Sequence, residues 1–337
     1  MPCTIHKWAD IAKDYNKGSL LLGNGASIAI DNRFNYSSII EYARNKKYLT
    51  EDVNKLFEFY KTKDFELVLR LVWQASNVNQ ALQIPDEKTN DAYNRVRSCL
   101  IKSVRDIHPE HNEISKELPA IYKFIKSFKT VISLNYDLIV YWALMYGNEQ
   151  KDTHQFKDCY INGFFEEDWS KLKKPIYGYK STTLVFYPHG TLYLSRNKVE
   201  HEIKLKAFND GPGLLQSILN EWEEKRTIPL FVCEGTSEQK INSIKNSMYL
   251  NTVYREVLTS LEPCLVIYGW SLSSQDEHIL MRIKLSERKL EKVAVSVHNN
   301  DQEYSNRVYN KIHEILGDEV QVVFFHSDSS DCWNNNA

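Results

Sequence analysis

Leu20-Leu21-Leu22-Gly23-Asn24-Gly25-Ala26-Ser27-Ile28-Ala29-Ile30 is the stretch whose reading decides the fold. Three consecutive leucines running into a glycine turn, followed by a short apolar segment, read as a buried strand, a tight loop and the start of the next element. The two glycines permit positive φ and let backbone N–H groups come close to an anion at a helix N-terminus. The third glycine of the dehydrogenase fingerprint is absent, since Ile28 holds its place, and no Gly-Lys-Ser/Thr of a P-loop occurs anywhere. A purely structural turn after a first strand explains the loop equally well.

Outward from this unit, apolar residues between Val53 and about His108 take helical spacing (Leu56, Tyr60, then Phe65, Val68, Leu71, Val72), with a polar break at Asp86 to Thr89. This predicts an inserted helical layer over residues 53–128, whose simplest role is core packing and whose alternative is a partner or oligomer surface. Strand and helix then alternate. Strands are predicted at Thr130 to Leu134, Leu184 to Tyr187, Ile228 to Cys233, Cys264 to Tyr268, Val293 to Val297 and Val320 to Phe325. Helices are predicted at Ile121 to Phe128, Leu138 to Tyr146, Gly213 to Glu224, from about Asp276, and at Glu303 to Leu316. The strand runs are apolar without strict alternation, which suits strands covered on both faces. The fold class is therefore α/β, with a doubly wound, mainly parallel, Rossmann-like sheet. Residues 1–326 are read as one domain, and the polar stretch 327–337 as a disordered tail.

The bulk numbers exclude several classes. At 337 residues the chain buries a large core without disulfides or metals. Lys plus Arg number 42 against 44 Asp plus Glu, so a net charge of -2 gives no electrostatic reason to expect nucleic acid or an anionic membrane. The six cysteines (Cys3, Cys99, Cys159, Cys233, Cys264, Cys332) form no C-x-x-C pair, which fits reduced thiols better than a zinc ribbon or a secreted scaffold. The most apolar segment, Thr130 to Gly147, is broken by Asn135 and Asp137, and the N-terminus has no signal-peptide core. These features predict a cytoplasmic location. No histidine, cysteine or carboxylate cluster shows metal-ligand spacing, so no metal is expected.

Four polar motifs sit where predicted strands end, the edge at which open α/β sheets bind ligands. Asn135 and Asp137 follow Thr130 to Leu134; either also suits a helix cap. His189-Gly190 follows Leu184 to Tyr187, and an imidazole there reads as a packed structural residue or as an acid–base group. Gly269-Trp270-Ser271 precedes Asp276, which is placed to start a helix, so a plain turn and N-cap compete with a ligand loop. Gly235-Thr236-Ser237 has the same form, with Ser237 as the expected cap.

Taken in order, a Gly-x-Gly-x-Ser loop, a strand-end Asn-x-Asp, a His-Gly and a strand leading to Gly-x-Ser resemble the sirtuin-like family. Asp31, Arg33 and Phe34 resemble that family's acidic segment after the first loop, with Phe and Arg exchanged in order. The wording Leu-Leu-Leu-Gly-Asn-Gly-Ala-Ser, the run Asp64-Phe65-Glu66 and Gly-Thr-Ser-Glu-Gln-Lys are closer still to a bacterial family of unknown function, DUF4917, over nearly the whole chain.

The sirtuin-like resemblance implies NAD as substrate. Gly23, Asn24, Gly25, Ala26 and Ser27 would hold its pyrophosphate through backbone amides, with Asp31 and Arg33 also at the cofactor. Asn135 would orient a water or the nicotinamide ribose, Asp137 would hold the carboxamide, and His189 would act as general base. Gly269 and Ser271 would contact ribose or phosphates. The implied reaction is hydrolysis of the nicotinamide–ribose bond through an oxocarbenium-like transition state. The four-cysteine zinc module of protein-deacylating sirtuins is absent, as it is from NADases of bacterial antiphage defence, so an antiphage effector with a homo-oligomer or a defence protein as partner is expected. A non-catalytic sensor of NAD or a derivative, and a zinc-free deacylase or ADP-ribosyltransferase, are the alternatives.

Overall fold

The computed structural model describes residues 3–36, 38–150, 152–206, 213–224, 227–232 and 234–336. Eight strands make the central sheet: β1 (Ile5–His6), β2 (Ser19–Leu22), β3 (Thr130–Ser133), β4 (His154–Lys157), β5 (Ser181–Phe186), β6 (Cys264–Tyr268), β7 (Lys292–Val297) and β8 (Gln321–His326). Their order is β1-β8-β7-β6-β2-β3-β5-β4, and every neighbouring pair is parallel. Leu20, Leu21 and Leu22 are buried at the centre, between Val131 and Ile132 of β3 and Leu265 to Ile267 of β6. A central strand covered on both faces has no polar side to alternate, which explains the unbroken leucine run.

The connection sets the position of a crevice. From β2 the chain passes through helices to β3 alongside, then to the edge strand β4 and back to β5 between them; it returns to the other side of β2 as β6 and continues outward as β7 and β8. The strand order thus reverses between β2 and β6, where ligands of open parallel sheets bind beyond the carboxyl ends. This is the predicted α/β, Rossmann-like architecture.

The helical layer between β2 and β3 contains Glu51–Phe59, Phe65–Ala81 and Glu87–Ile107. Asp64 and Asp86 cap the two longer helices, accepting from the amides of Glu66 and Leu67 and of Thr89. Phe65, Val68, Leu69 and Val72 form the buried stripe that the i, i+3, i+4, i+7 spacing predicts. Ile228–Phe231 departs from expectation. It pairs antiparallel with Gly190–Arg196, which also pairs with Glu202–Lys204, in a separate three-stranded sheet. Its residues are buried throughout, so periodicity could not separate it from a parallel strand; Cys233, at the end of that predicted strand, lies outside the described residues.

The tail is the second correction. Instead of being disordered, Cys332 and Trp333 are 0% and 1% exposed. The Trp333 indole N–H donates to the Ala26 carbonyl at 2.8 Å, and its ring lies 5.7 Å from that of Tyr268. Two bulky apolar residues among polar neighbours suffice to anchor the segment, because one buried indole outweighs the ordering cost of a short turn. Trp333→Ala is expected to cost about 3–5 kcal/mol, read as a shifted urea midpoint; an unshifted midpoint would show that the tail carries no stability.

Candidate functional site

The loops after β2 and β6 meet glycine to glycine. Gly23 N–H donates to Tyr268 O at 2.9 Å and Gly25 N–H to Gly269 O at 2.7 Å. A Cβ on Gly25 would stand 2.8 Å from Gly269 Cα, and one on Gly23 would stand 2.5 Å from Trp270 Cα. Gly269 adopts φ +67°, and a Cβ on it would meet the Ala26 nitrogen at 2.3 Å. The glycines are therefore required by the approach of two backbones. The amides of Gly23, Gly25 and, through Gly23 O, Ala26 are spent within the protein, which corrects their expected use as pyrophosphate donors.

Behind this contact runs a chain of hydrogen bonds. Asn135 Nδ2 donates to Gly23 O at 3.0 Å and to Ser27 Oγ at 2.8 Å. Ser27 Oγ in turn donates to Asp137 Oδ2 at 2.5 Å, while Asp137 Oδ1 accepts from the Ile139 amide at 2.9 Å. Asp137 thus combines the capping role with a place at the crevice. Burial pushes its carboxyl above the usual range, against the lowering effect of Ser27. Both amide hydrogens of Asn135 being engaged, its Oδ1 is the group left to offer a ligand.

On the β5 side, His189 Nε2 lies 3.0 Å from His278 Nε2. Ser237 Oγ lies 3.2 Å from His278 Nδ1 on the far side of that ring. Burial, and after it the Lys240 ammonium, hold His189 well below the ordinary imidazole range; burial takes His278 down to about 4. The buried Lys240 Nζ donates to Asp276 Oδ1 at 2.6 Å.

Asn135, Asp137, His189, Lys240 and Asp276 open on one cavity of about 460 Å³, within the range of small-molecule sites. Its walls include Gly23, Asn24 and Gly25, then Asn135 and Asp137, then His189, and Gly269 with Ser271. Glu234 closes another side. Its Oε1 accepts from the Ile39 and Ile40 amides, and its buried Oε2 has no hydrogen-bond partner among the described residues. Burial raises its carboxyl to about 8.

The family model described as a domain of unknown function, DUF4917, matches residues 20–333. The chain belongs to the DUF4917 family. The matched span runs from the strand that precedes the glycine loop to the tryptophan packed beneath it, so it contains the whole crevice. No curated protein matches the chain.

Four of the residues expected at the cofactor are not on the cavity wall of this DUF4917 chain. Ala26 is turned toward Trp333, and Ser27 sits behind Asn135. Asp31 and Arg33 bond each other at 2.7 Å, and Arg33 also bonds Glu113, which is a local turn held by an ion pair. Ser237 is not the cap of its helix; Thr236 is, in a capping box with Gln239. Sequence reading missed Glu234, Lys240 and His278. The ligand atoms of His189, Asp276 and His278 lie within 4.8 Å of one another, a grouping that spacing in the sequence does not display because it is drawn from segments 89 positions apart. A signal was present in Asp276-x-His278 directly after the Gly269 loop.

Two outcomes follow from this geometry. Gly25→Ala should cost on the order of 1–3 kcal/mol in chemical denaturation, because the new methyl must part the two loops; full stability would show that the contact gives way freely. The second concerns pH. Glu234 keeps its proton in the fold up to about pH 8 but loses it near 4.5 when unfolded, so its contribution to stability is complete below the lower value and is lost as pH rises through the upper one. Glu234→Gln should therefore gain on wild type in Tm between about pH 5 and about pH 9; a constant difference would contradict the assignment.

Proposed function

We propose that the chain is a sirtuin-like NAD glycohydrolase, acting as an effector in antiphage defence. The observation that carries the reading is the convergence of Asn135, Asp137, His189 and the two glycine loops on one cavity at the reversal point of the sheet. A crevice of this kind accepts a dinucleotide lengthwise.

In the proposed reaction the bond between nicotinamide and ribose C1′ breaks, and nicotinamide leaves as a neutral molecule with the bonding pair. A water oxygen then bonds C1′, and its proton passes to the protein. Asn135, with its donors fixed on Gly23 and Ser27, turns an acceptor oxygen to the attacking water or a ribose hydroxyl and stabilises the positive charge growing on the ring. His189 is neutral in its buried setting and receives the proton through Nε2, with His278 as the group that orients it. Asp137 holds Ser27, and through it Asn135. The closed network means that these groups need not reorganise when charge develops.

The sensor reading has a specific observation in its favour: both Asn135 hydrogens, both Asp137 oxygens and His189 Nε2 are engaged inside the protein. Release of free nicotinamide from NAD separates the two. Wild type should release it, and His189→Ala should do so about 100-fold or more slowly while binding NAD with little change by calorimetry. Binding of NAD by wild type without release would establish the sensor instead, and equal rates in the two proteins would remove His189 from catalysis.

A further inference from the structure

His189 and His278 point Nε2 at Nε2 across 3.0 Å. Ser237 Oγ accepts from the His278 backbone amide and lies 3.2 Å from His278 Nδ1. Without an ion, one ring donates its N–H to the lone pair of the other. In the tautomer that points both lone pairs inward, the two nitrogens face one buried position that a cation can occupy. Ser237 Oγ beside His278 Nδ1 is an outer support of the kind that a metal-bound histidine has. In a tetrahedral site with bonds of about 2.0–2.1 Å, neighbouring ligand atoms stand about 3.3 Å apart, close to the separation seen here.

We propose that His189, His278 and Asp276 form a binding site for a divalent transition-metal ion, with Zn²⁺ the best match. Two imidazoles and one carboxylate are a donor set that zinc accepts, and the fourth position opens on the cavity that His189 and Asp276 line. The three ligand atoms lie within 4.8 Å of one another, so closure on the ion takes a side-chain shift on the order of 1 Å. Lys240 opposes it as a like charge, but it holds Asp276 by Oδ1 and leaves Oδ2 for the ion. On the hydrolase reading above, the ion occupies the nitrogen that takes the proton, so metal occupancy and NAD cleavage exclude each other.

The test is equilibrium dialysis of the full chain against Zn²⁺, with Co²⁺ as spectroscopic reporter. One ion per chain is expected, and Co²⁺ should give visible d–d bands without a thiolate charge-transfer band. His278→Ala and Asp276→Asn should each lower affinity at least 10-fold, while Lys240→Met, which removes the like charge, should raise it; circular dichroism checks that the variants fold. Absence of a stoichiometric ion, a thiolate band, or affinity unchanged in His278→Ala would each overturn the proposal. In a second arm nicotinamide release is followed as Zn²⁺ is added. Loss of release in step with occupancy supports the placement on His189, and undiminished release at full occupancy overturns it. A protein that binds Zn²⁺ but cleaves no NAD in its absence removes the hydrolase reading and leaves the metal site standing.

Discussion

The contact between the loops after β2 and β6 is the constraint on which the crevice depends. Two parallel strands side by side send their chains out of the sheet about 4.8 Å apart, and a side chain on either would wedge them open. With hydrogen at all three α-positions, the backbones lie against each other, and the β2 loop donates hydrogen bonds of 2.7 and 2.9 Å to carbonyls at the end of β6. Asn135 is then placed by its bond to the Gly23 carbonyl, Ser27 by Asn135, and Asp137 by Ser27. A glycine pattern that suggests phosphate binding is in this chain first a packing device, and the cavity beside it is what that device leaves open.

The features that sequence made legible were those carried by local pattern. A leucine run in a central strand, helical stripes in the layer between β2 and β3, and polar residues after strand ends all follow from periodicity and burial, and they located Gly23, Asn135, His189 and Gly269 around one opening. What was hidden depended on contacts far apart in the chain. Lys240 belongs to a helix that nothing links by spacing to Asp276, and His278 becomes notable only opposite His189. The antiparallel sheet was misread because Ile228–Phe231 is buried throughout, and the tail was misread because composition averaged Trp333 away among asparagines and serines. Asp31 and Arg33 show the reverse error, in which a motif at the right place in the sequence serves a local turn.

The polar groups of the crevice differ from ordinary surface polar groups in how few degrees of freedom they keep. Buried hydrogen bonds in series polarise one another and leave little room for alternative rotamers. Both amide hydrogens of Asn135 are engaged, so its side chain presents an acceptor to the pocket, while Lys240 puts a buried positive charge near the His189 side. A ligand is thus met by a field with direction. Glu234, neutral at pH 7 by burial, adds a wall that is polar in shape but uncharged.

The bond from Trp333 to Ala26 joins positions 307 residues apart, and β1 meets β8 across a similar distance. Contacts of such separation close a loop of nearly the whole chain, and the entropy of that loop must be overcome before they contribute. The floor under the glycine loop therefore depends on a residue from the far end of the sequence. A fragment that ended before the tryptophan would have every residue of the crevice wall and still lack the piece that holds its first helix in place. Completeness of the chain and competence of the cleft are in this way the same event.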